Sequence, residues 1–171
     1  GKTEVMAVFG PGAMRGGRLA QVPHTGTFNG NPLTAAAGIA LLEHIVDGRP
    51  QEKAHAAAES LVAGVNQAAE DEGVDVFLYA NGSSVFHILM GARHAGKPLV
   101  PSAAIRDMSK ANPHLYAQLR RALLLEGLDT NPVHGWVSAA HDSEAIDFSI
   151  AAFARAFRRV REAEGFRLQD R

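Results

Sequence analysis

A pair of β-rich runs joined by Asn81-Gly82 constrains the fold more than any other feature of this 171-residue chain. The runs are Val74–Tyr79 and Ser84–Met90, both rich in aromatic, β-branched and aliphatic residues. An Asn-Gly pair supplies the positive φ angles of a tight hairpin turn, because both residues tolerate the left-handed region. The sequence therefore predicts an antiparallel β-hairpin in the middle of the chain.

Helical patterns flank this hairpin on both sides along the chain. Residues 51–72 and 113–126 carry apolar residues at helical spacing, and a glycine follows each run. A last helix begins at Asp142 or Ser143, which are good N-cap residues, and continues to about Glu164. These patterns predict three helices around the hairpin.

A short strand is predicted at 136–139, between the second and third of these helices. The order from residue 51 onward is therefore helix, strand, strand, helix, strand, helix. Such an order predicts a compact α+β unit over 51–171, with a small sheet covered by helices.

The first fifty residues follow a different pattern. A helical turn is predicted at 3–9, and the glycine-dense stretch 10–26 indicates a loop without strand partners. Asn31 is a good N-cap and Pro32 is favoured at the first helical position, so a helix is predicted from here through Val46.

Composition excludes several classes of protein. The chain has no cysteine, which excludes disulfides, cysteine nucleophiles and thiolate metal sites. Seventeen basic and eighteen acidic residues leave a net charge of −1. The chain therefore lacks the excess of positive charge that is typical of proteins that bind nucleic acid. No apolar run approaches the roughly 18 residues of a membrane span, and the first residues lack the apolar stretch of a secretion signal. We therefore expect a cytoplasmic, globular protein that binds neither nucleic acid nor membranes.

Eight histidines raise the question of a metal site. None of them pairs at a spacing of three or four residues, and the HExxH motif is absent, so we predict no metal site. The GxSxG, P-loop and GxGxxG motifs are absent as well. Four arginines near the end of the last helix are interpreted as a solvated helix end, where the macrodipole favours cations: Arg155, Arg158, Arg159 and Arg161.

The stretch His24–Leu33 is the most informative part of the sequence. A glycine and a hydroxyl residue, Gly26 and Thr27, come just before a helix amino terminus. Backbone N–H groups, a side-chain hydroxyl and the positive end of a helix dipole together suit a phosphate. On these residues alone two interpretations stay open, an anion-binding loop and an ordinary capped loop.

The same stretch resembles a family motif. Gly26–Pro32, followed by Ala35–Gly38, resembles the G-T-[FLY]-x-x-N-P-x-x-x-A-A-G segment of class III pyridoxal-phosphate aminotransferases, in particular their glutamate-1-semialdehyde aminomutase-like members. A second match, Val137–His141 with Ile146-Asp147 after it, resembles the carboxyl end of that subfamily. Two further stretches keep the family's order between these matches: Gly82–Phe86 and Leu123–Gly127.

The resemblance implies a type I PLP-transferase fold, of the α/β class. Residues 1–50 would be the tail of the large cofactor domain with the connecting helix, and 51–171 the small carboxyl-terminal α+β domain. The implied cofactor is pyridoxal 5'-phosphate (PLP), with Gly26, Thr27 and Phe28 binding a phosphate that belongs to the partner subunit of a homodimer. The implied reaction moves an amino group between a small-molecule amine and a carbonyl acceptor, by aminotransferase or isomerase (aminomutase) chemistry.

The resemblance also implies that the catalytic lysine is missing from this chain. Gly1–Met6 resembles the family's G-[RK]-x-[ED]-[IV]-M segment, which follows that lysine along the chain. Lys2, Lys53, Lys97 and Lys110 lack the glycine-rich surroundings that the family gives it, so we assign no catalytic residue. We expect a fragment, the carboxyl-terminal part of an enzyme whose amino-terminal portion precedes residue 1. The alternative is a catalytically inert fragment or a binding module derived from the small domain.

Overall fold

The computed structural model describes residues 2–10, 12, 14–15, 18–19, 22, 26–90, 113–131 and 133–163. Its contacts divide the chain into two compact units, Gly1–Val46 and Asp47–Arg171. We call them the amino-terminal and the carboxyl-terminal unit. The domain assignment implied by the family resemblance, 1–50 and 51–171, stays a prediction.

The amino-terminal unit contains short elements and one longer helix. Helix α1 (Thr3–Met6) continues into a 3-10 turn (Ala7–Phe9), and helix α2 covers Pro32–Ile45. Strands β1 (Met14–Arg15) and β2 (Arg18–Leu19) pair antiparallel with each other. The expectation of a loop without strand partners was therefore wrong, because strands of two residues are too short to produce a detectable alternating pattern.

The start of α2 is the one that the sequence predicts. The side-chain Oδ1 of Asn31 accepts hydrogen bonds from the backbone N–H groups of Leu33 (2.9 Å) and Thr34 (3.2 Å). These donors have no carbonyl partner within the first helical turn, and Pro32 has no N–H to satisfy. The predicted N-cap and the predicted first helical residue are both confirmed.

The described elements of the carboxyl-terminal unit are, in chain order, α3 (Arg49–Asp71), β3 (Val76–Tyr79), β4 (Val85–Met90), α4 (Pro113–Leu125), β5 (His134–Trp136) and α5 (Ser143–Glu162). Strand β4 lies between β3 and β5, and both pairings are antiparallel. The predicted order of helices and strands is confirmed.

The turn between β3 and β4 is built as predicted. Asn81 and Gly82 have φ angles of 47° and 67°, and the Ser83 N–H donates to the Ala80 carbonyl at 3.0 Å. Two successive residues with positive φ give the turn a twist that matches the twist of the strands, so the hairpin register is set locally.

Strand β5 lies two residues earlier than the strand predicted at 136–139. Its middle residue, Gly135, is opposite Phe86 of β4. A Cβ at Gly135 would lie 2.4 Å from the Phe86 ring, so only glycine fits at this point of the sheet. Glycine is depleted in strands, which is why the sequence pattern indicated the β-rich residues after it instead.

One face of the sheet packs against helices α3, α4 and α5 and forms the core. Its largest fully buried side chains come from both layers: Phe153, Phe157, Leu78, Ile88, Met90, Leu119, Leu123 and Val65. Helices α3 and α5 approach closely at Gly64, where an added Cβ would lie 2.3 Å from Cδ1 of Ile150. Close helix packing therefore explains a glycine within α3 that helix propensity disfavours by about 1 kcal/mol.

The buried hydroxyl of Tyr116, in α4, completes the hydrogen bonding of β4 beyond the end of β5. It accepts from the Met90 N–H (3.1 Å) and donates to the Ile88 carbonyl (3.2 Å). Burial raises the pKa of this hydroxyl, so it keeps the proton that it donates. One side chain thus takes the place of a neighbouring strand.

The arginines near the end of α5 are not simply solvated, which corrects their interpretation from sequence. Two glutamates just after α3 and α4 each bind two of them: Glu72 binds Arg158 and Arg161, and Glu126 binds Arg155 and Arg159. The hydrogen bond from Arg155 lowers the pKa of Glu126, followed by that from Arg159. The hydrogen bond from Arg158 likewise lowers the pKa of Glu72. These ion pairs connect α5 to the carboxyl ends of two other helices.

The described helices are each too short or too polar to traverse a lipid bilayer. The sequence also predicts a proline- and glycine-rich loop at 91–101 and an irregular stretch or weak helix at 102–112. Both lie outside the described residues.

Candidate functional site

Residues 26–31 form a loop of two successive turns directly before α2. The Gly26 carbonyl accepts a hydrogen bond from the Asn29 N–H, and the Phe28 carbonyl accepts one from the Asn31 N–H, both at 3.1 Å. Residues 26–30 are exposed. The loop is therefore held by its own backbone while its side chains face solvent.

This geometry favours glycine at two positions. A Cβ at Gly26 would lie 2.8 Å from Oδ1 of Asn29, so a larger residue there would displace the exposed Asn29 side chain. Gly30 has a φ of +72°, a conformation that residues with a Cβ rarely adopt. The glycines of the motif thus have a structural reason that does not depend on any ligand.

The donors that the sequence predicts for a phosphate lie together on this loop. Thr27 and Phe28 are adjacent and exposed, with 76% of the Phe28 surface accessible. Within the described part of the chain, their two N–H groups and the Thr27 hydroxyl have no hydrogen-bond partner. Three unpaired donors on neighbouring atoms can hold an anion with several oxygens.

The first turn of α2 contributes less to an anion than the sequence suggests. Asn31 already takes up the N–H groups of Leu33 and Thr34, so these donors are occupied. The helix dipole remains, and it places partial positive charge next to the loop. The groups that can donate directly to an anion are therefore those of Thr27 and Phe28. The dipole of α2 adds an electrostatic attraction.

The other predicted candidates do not form a second site among the described residues. Lys2 and Lys53 are both exposed, without the enclosed surroundings that activate an amine, whereas Lys97 and Lys110 lie outside those residues. His24, at the start of the motif, lies outside them as well. No three or more His, Cys, Asp or Glu residues come together in the described part of the chain.

A Ser–His pair after β5 has a structural explanation. Nδ1 of His141 lies 3.0 Å from the Ser138 hydroxyl and accepts the Ser138 backbone N–H at the same distance. The hydroxyl in turn accepts the Ala140 N–H at 3.3 Å. These bonds close the short turn before α5, and no carboxylate orients the imidazole as in a catalytic triad within the described residues.

Comparison with known proteins gives a consistent result over nearly the whole chain. No family model matches it. It is 28% identical over 168 residues to a glutamate-1-semialdehyde 2,1-aminomutase of Pyrobaculum aerophilum, covering 96% of this chain and 36% of the relative. It is 30% identical over 172 residues to the enzyme of that name from Syntrophobacter fumaroxidans, covering 97% and 36%. This chain therefore spans about a third of the length of these relatives.

Solved structures give the same result for the fold. An omega-transaminase from Sphaerobacter thermophilus superposes with a TM-score of 0.66 at 28% identity, over 94% of this chain and 34% of the transaminase. A transaminase solved with PLP bound has the same TM-score and coverage at 26% identity. These matches fit a carboxyl-terminal portion of a class III pyridoxal-phosphate aminotransferase.

The class III assignment confirms the family and the α/β fold class expected from the two sequence motifs. The roles of Gly26, Thr27 and Phe28 in cofactor binding remain predictions, although their arrangement on one exposed loop fits a phosphate. Sequence reasoning missed one pair of neighbouring imidazoles. His87 and His134 are brought together by the sheet register, and their spacing along the sequence carried no sign of it.

Proposed function

We propose that this chain is part of a PLP-dependent enzyme that moves an amino group between a small-molecule amine and a carbonyl acceptor. The enzyme is an aminotransferase or a glutamate-1-semialdehyde aminomutase-like isomerase, in agreement with the names of its relatives. The observation that carries the proposal is the loop of Gly26, Thr27 and Phe28, where three donors without a hydrogen-bond partner among the described residues lie within the family's motif. We place the enzyme in the cytoplasm.

The role of this loop is to bind the cofactor phosphate. The Thr27 hydroxyl and the N–H of Thr27 or Phe28 would donate hydrogen bonds to phosphate oxygens. The dipole of α2 adds an electrostatic attraction for the negatively charged phosphate. When bound, PLP supplies an electron sink for the amino-group chemistry, while the protein determines its position. The residues of this chain therefore bind and orient the cofactor and leave proton transfer to the rest of the enzyme.

The phosphate belongs to the partner subunit of a homodimer, so that the loop completes a site across the interface. Helix α2 supports this part of the proposal, because its large apolar side chains are exposed: Leu33, Ile39, Leu41 and Leu42. Exposed apolar surface of this extent is typical of an interaction surface. Light scattering on a clean sample tests it, and a stable monomer of the complete enzyme counts against it.

Replacing Thr27 by alanine tests the phosphate site directly. In the complete enzyme, Thr27→Ala should weaken PLP binding by about 1.5–3 kcal/mol, the usual range for a hydrogen bond to a charged group. Binding of pyridoxal, which has no phosphate, should not change. Thr34→Ala is the matched control, since Thr34 is also exposed but lies within α2. An unchanged PLP affinity in Thr27→Ala would remove the basis for the assignment.

The chain by itself should show no transamination with any amine donor, even at saturating PLP. Neither Lys2 nor Lys53 is enclosed, so neither has a reason to be an activated amine at neutral pH. Borohydride reduction in the presence of PLP, followed by peptide mapping, should find no stoichiometric label on any lysine. A stoichiometric pyridoxyl group on Lys2 would show that the catalytic lysine is present after all.

A further inference from the structure

The face of the sheet opposite the helices carries a row of five rings that the proposed function does not use, and Phe77 of β3 begins it by stacking on Tyr79 at 6.5 Å. Tyr79 of β3 stacks on His87 of β4, with ring centroids 5.0 Å apart. His87 is 6.0 Å from His134 of β5, and the ring of His134 is nearly perpendicular to that of Trp136 with centroids 4.7 Å apart. Two imidazoles therefore lie side by side between two larger aromatic rings.

The pairing of β4 with β5 fixes this arrangement. His87 and His134 are directly opposite in the register, and the next residue, Ile88, donates its N–H to the carbonyl of Val133 at 2.9 Å. This bond makes His87 and His134 a non-hydrogen-bonded pair, the narrower kind, in which Cα atoms are about 4.5 Å apart and side chains are closest. Both imidazoles thus project from the same face at short range.

We propose that His87 and His134 together bind a divalent transition-metal ion. A tetrahedral ion with bonds of about 2.0–2.1 Å to each nitrogen spans imidazole centres at roughly 5–6 Å, close to the separation observed. Imidazole is a ligand that suits Cu²⁺, Ni²⁺ and Zn²⁺, with Cu²⁺ bound most tightly. Because Tyr79 and Trp136 pack against the two histidines, little side-chain freedom is lost when the ion binds.

The described residues supply two ligands to the ion. No third His, Cys, Asp or Glu joins the pair in this part of the chain. A metal ion requires the free lone pair of a neutral imidazole, so both histidines would bind it in their neutral form.

Trp136 provides a direct readout, because it is the only tryptophan in the chain and contacts His134. Titrating the 171-residue chain with Cu²⁺ should quench its fluorescence saturably, with one ion bound per chain at the quenching site. His87→Ala and His134→Ala should each weaken this binding by about tenfold or more, since even changes around metal ligands cost 10–100-fold. His114→Ala, at an exposed position in α4, is the matched control and should leave the titration unchanged.

Competition on the unaltered chain gives an independent test. A large excess of Zn²⁺ should displace Cu²⁺ and restore the fluorescence, whereas the same excess of Mg²⁺, which prefers oxygen ligands, should not. Quenching that does not saturate, that a large excess of Zn²⁺ fails to reverse, or that both histidine variants share with the unaltered chain would overturn the proposal. Circular dichroism checks that each variant is folded. If His87→Ala is not folded, His134→Ala and the competition between metal ions still test the proposal.

Discussion

Helices α2 and α5 use apolar residues in opposite ways. In α2 none of the residues is buried, although Leu33, Ile39 and Leu42 are all large and apolar. In α5 the apolar residues lie on one side, and Phe153 and Phe157 are almost completely buried against the sheet and the other helices. Both helices have strong N-caps, so the difference between them is one of packing and not of helix formation.

This difference shows what each distribution of apolar residues indicates about the packing of a helix. An amphipathic helix such as α5 has one face for the core of its own unit and one for water. A helix that is apolar all round, such as α2, has more apolar surface than the described residues of its unit cover. The sequence of the carboxyl-terminal unit therefore determines its own core, whereas the described residues of the amino-terminal unit leave large apolar side chains of α2 exposed.

Truncating one large apolar side chain in each helix tests this comparison with the largest expected effect. Phe153→Ala should lower the free energy of unfolding by about 3–5 kcal/mol, because it leaves a cavity in a packed core. Leu42→Ala should change it by no more than about 0.5 kcal/mol, because 63% of Leu42 is exposed. Urea unfolding of the 171-residue chain, followed by circular dichroism, measures both. A large loss in Leu42→Ala would show that α2 is packed within the chain.

The next prediction concerns a buried side-chain hydrogen bond in the carboxyl-terminal unit. The described residues of the amino-terminal unit contain no such bond. Tyr116→Phe should destabilise the chain by about 1–3 kcal/mol, because the Met90 N–H and the Ile88 carbonyl lose their buried partner. Tyr79→Phe is the matched control, as the Tyr79 hydroxyl has no hydrogen-bond partner in the described part of the chain. Equal losses in the two variants would mean that the two hydrogen bonds of the Tyr116 hydroxyl add nothing to the stability of the sheet.

Local signals in the sequence predicted most of the fold. The Asn81-Gly82 turn and the caps Asn31 and Asp142 act through groups only a few residues away, so their residue types suffice to identify them. The position of β5 depends on Gly135 fitting against Phe86, a contact between distant parts of the chain. Such a contact is invisible to patterns read along one segment.

The same distinction applies to the sites. The loop at Gly26–Phe28 is contiguous in sequence, so a motif that spans a few neighbouring residues is enough to indicate it. The pair His87–His134 and the binding of Arg155 to Glu126 exist only because strands and helices bring them together. Spacing rules for metal ligands cover one helix or one turn, and for this reason they did not find a pair across two strands.

The smallest expected change in stability comes from removing a helix cap in each of the two units. Asp142 accepts the Ala145 N–H at 2.9 Å and Asn31 accepts the Leu33 N–H at the same distance, so each helix begins with a side-chain cap. Asp142→Ala should lower the free energy of unfolding by about 1 kcal/mol, because α5 is part of the cooperative core. Asn31→Ala should leave that transition unchanged and should instead speed amide hydrogen exchange in α2, since a helix without buried contacts depends on its cap and unfolds locally. Exchange measured residue by residue by NMR, together with urea unfolding, separates these outcomes. If Asn31→Ala shifted the main transition as much as Asp142→Ala, the two units would unfold as one.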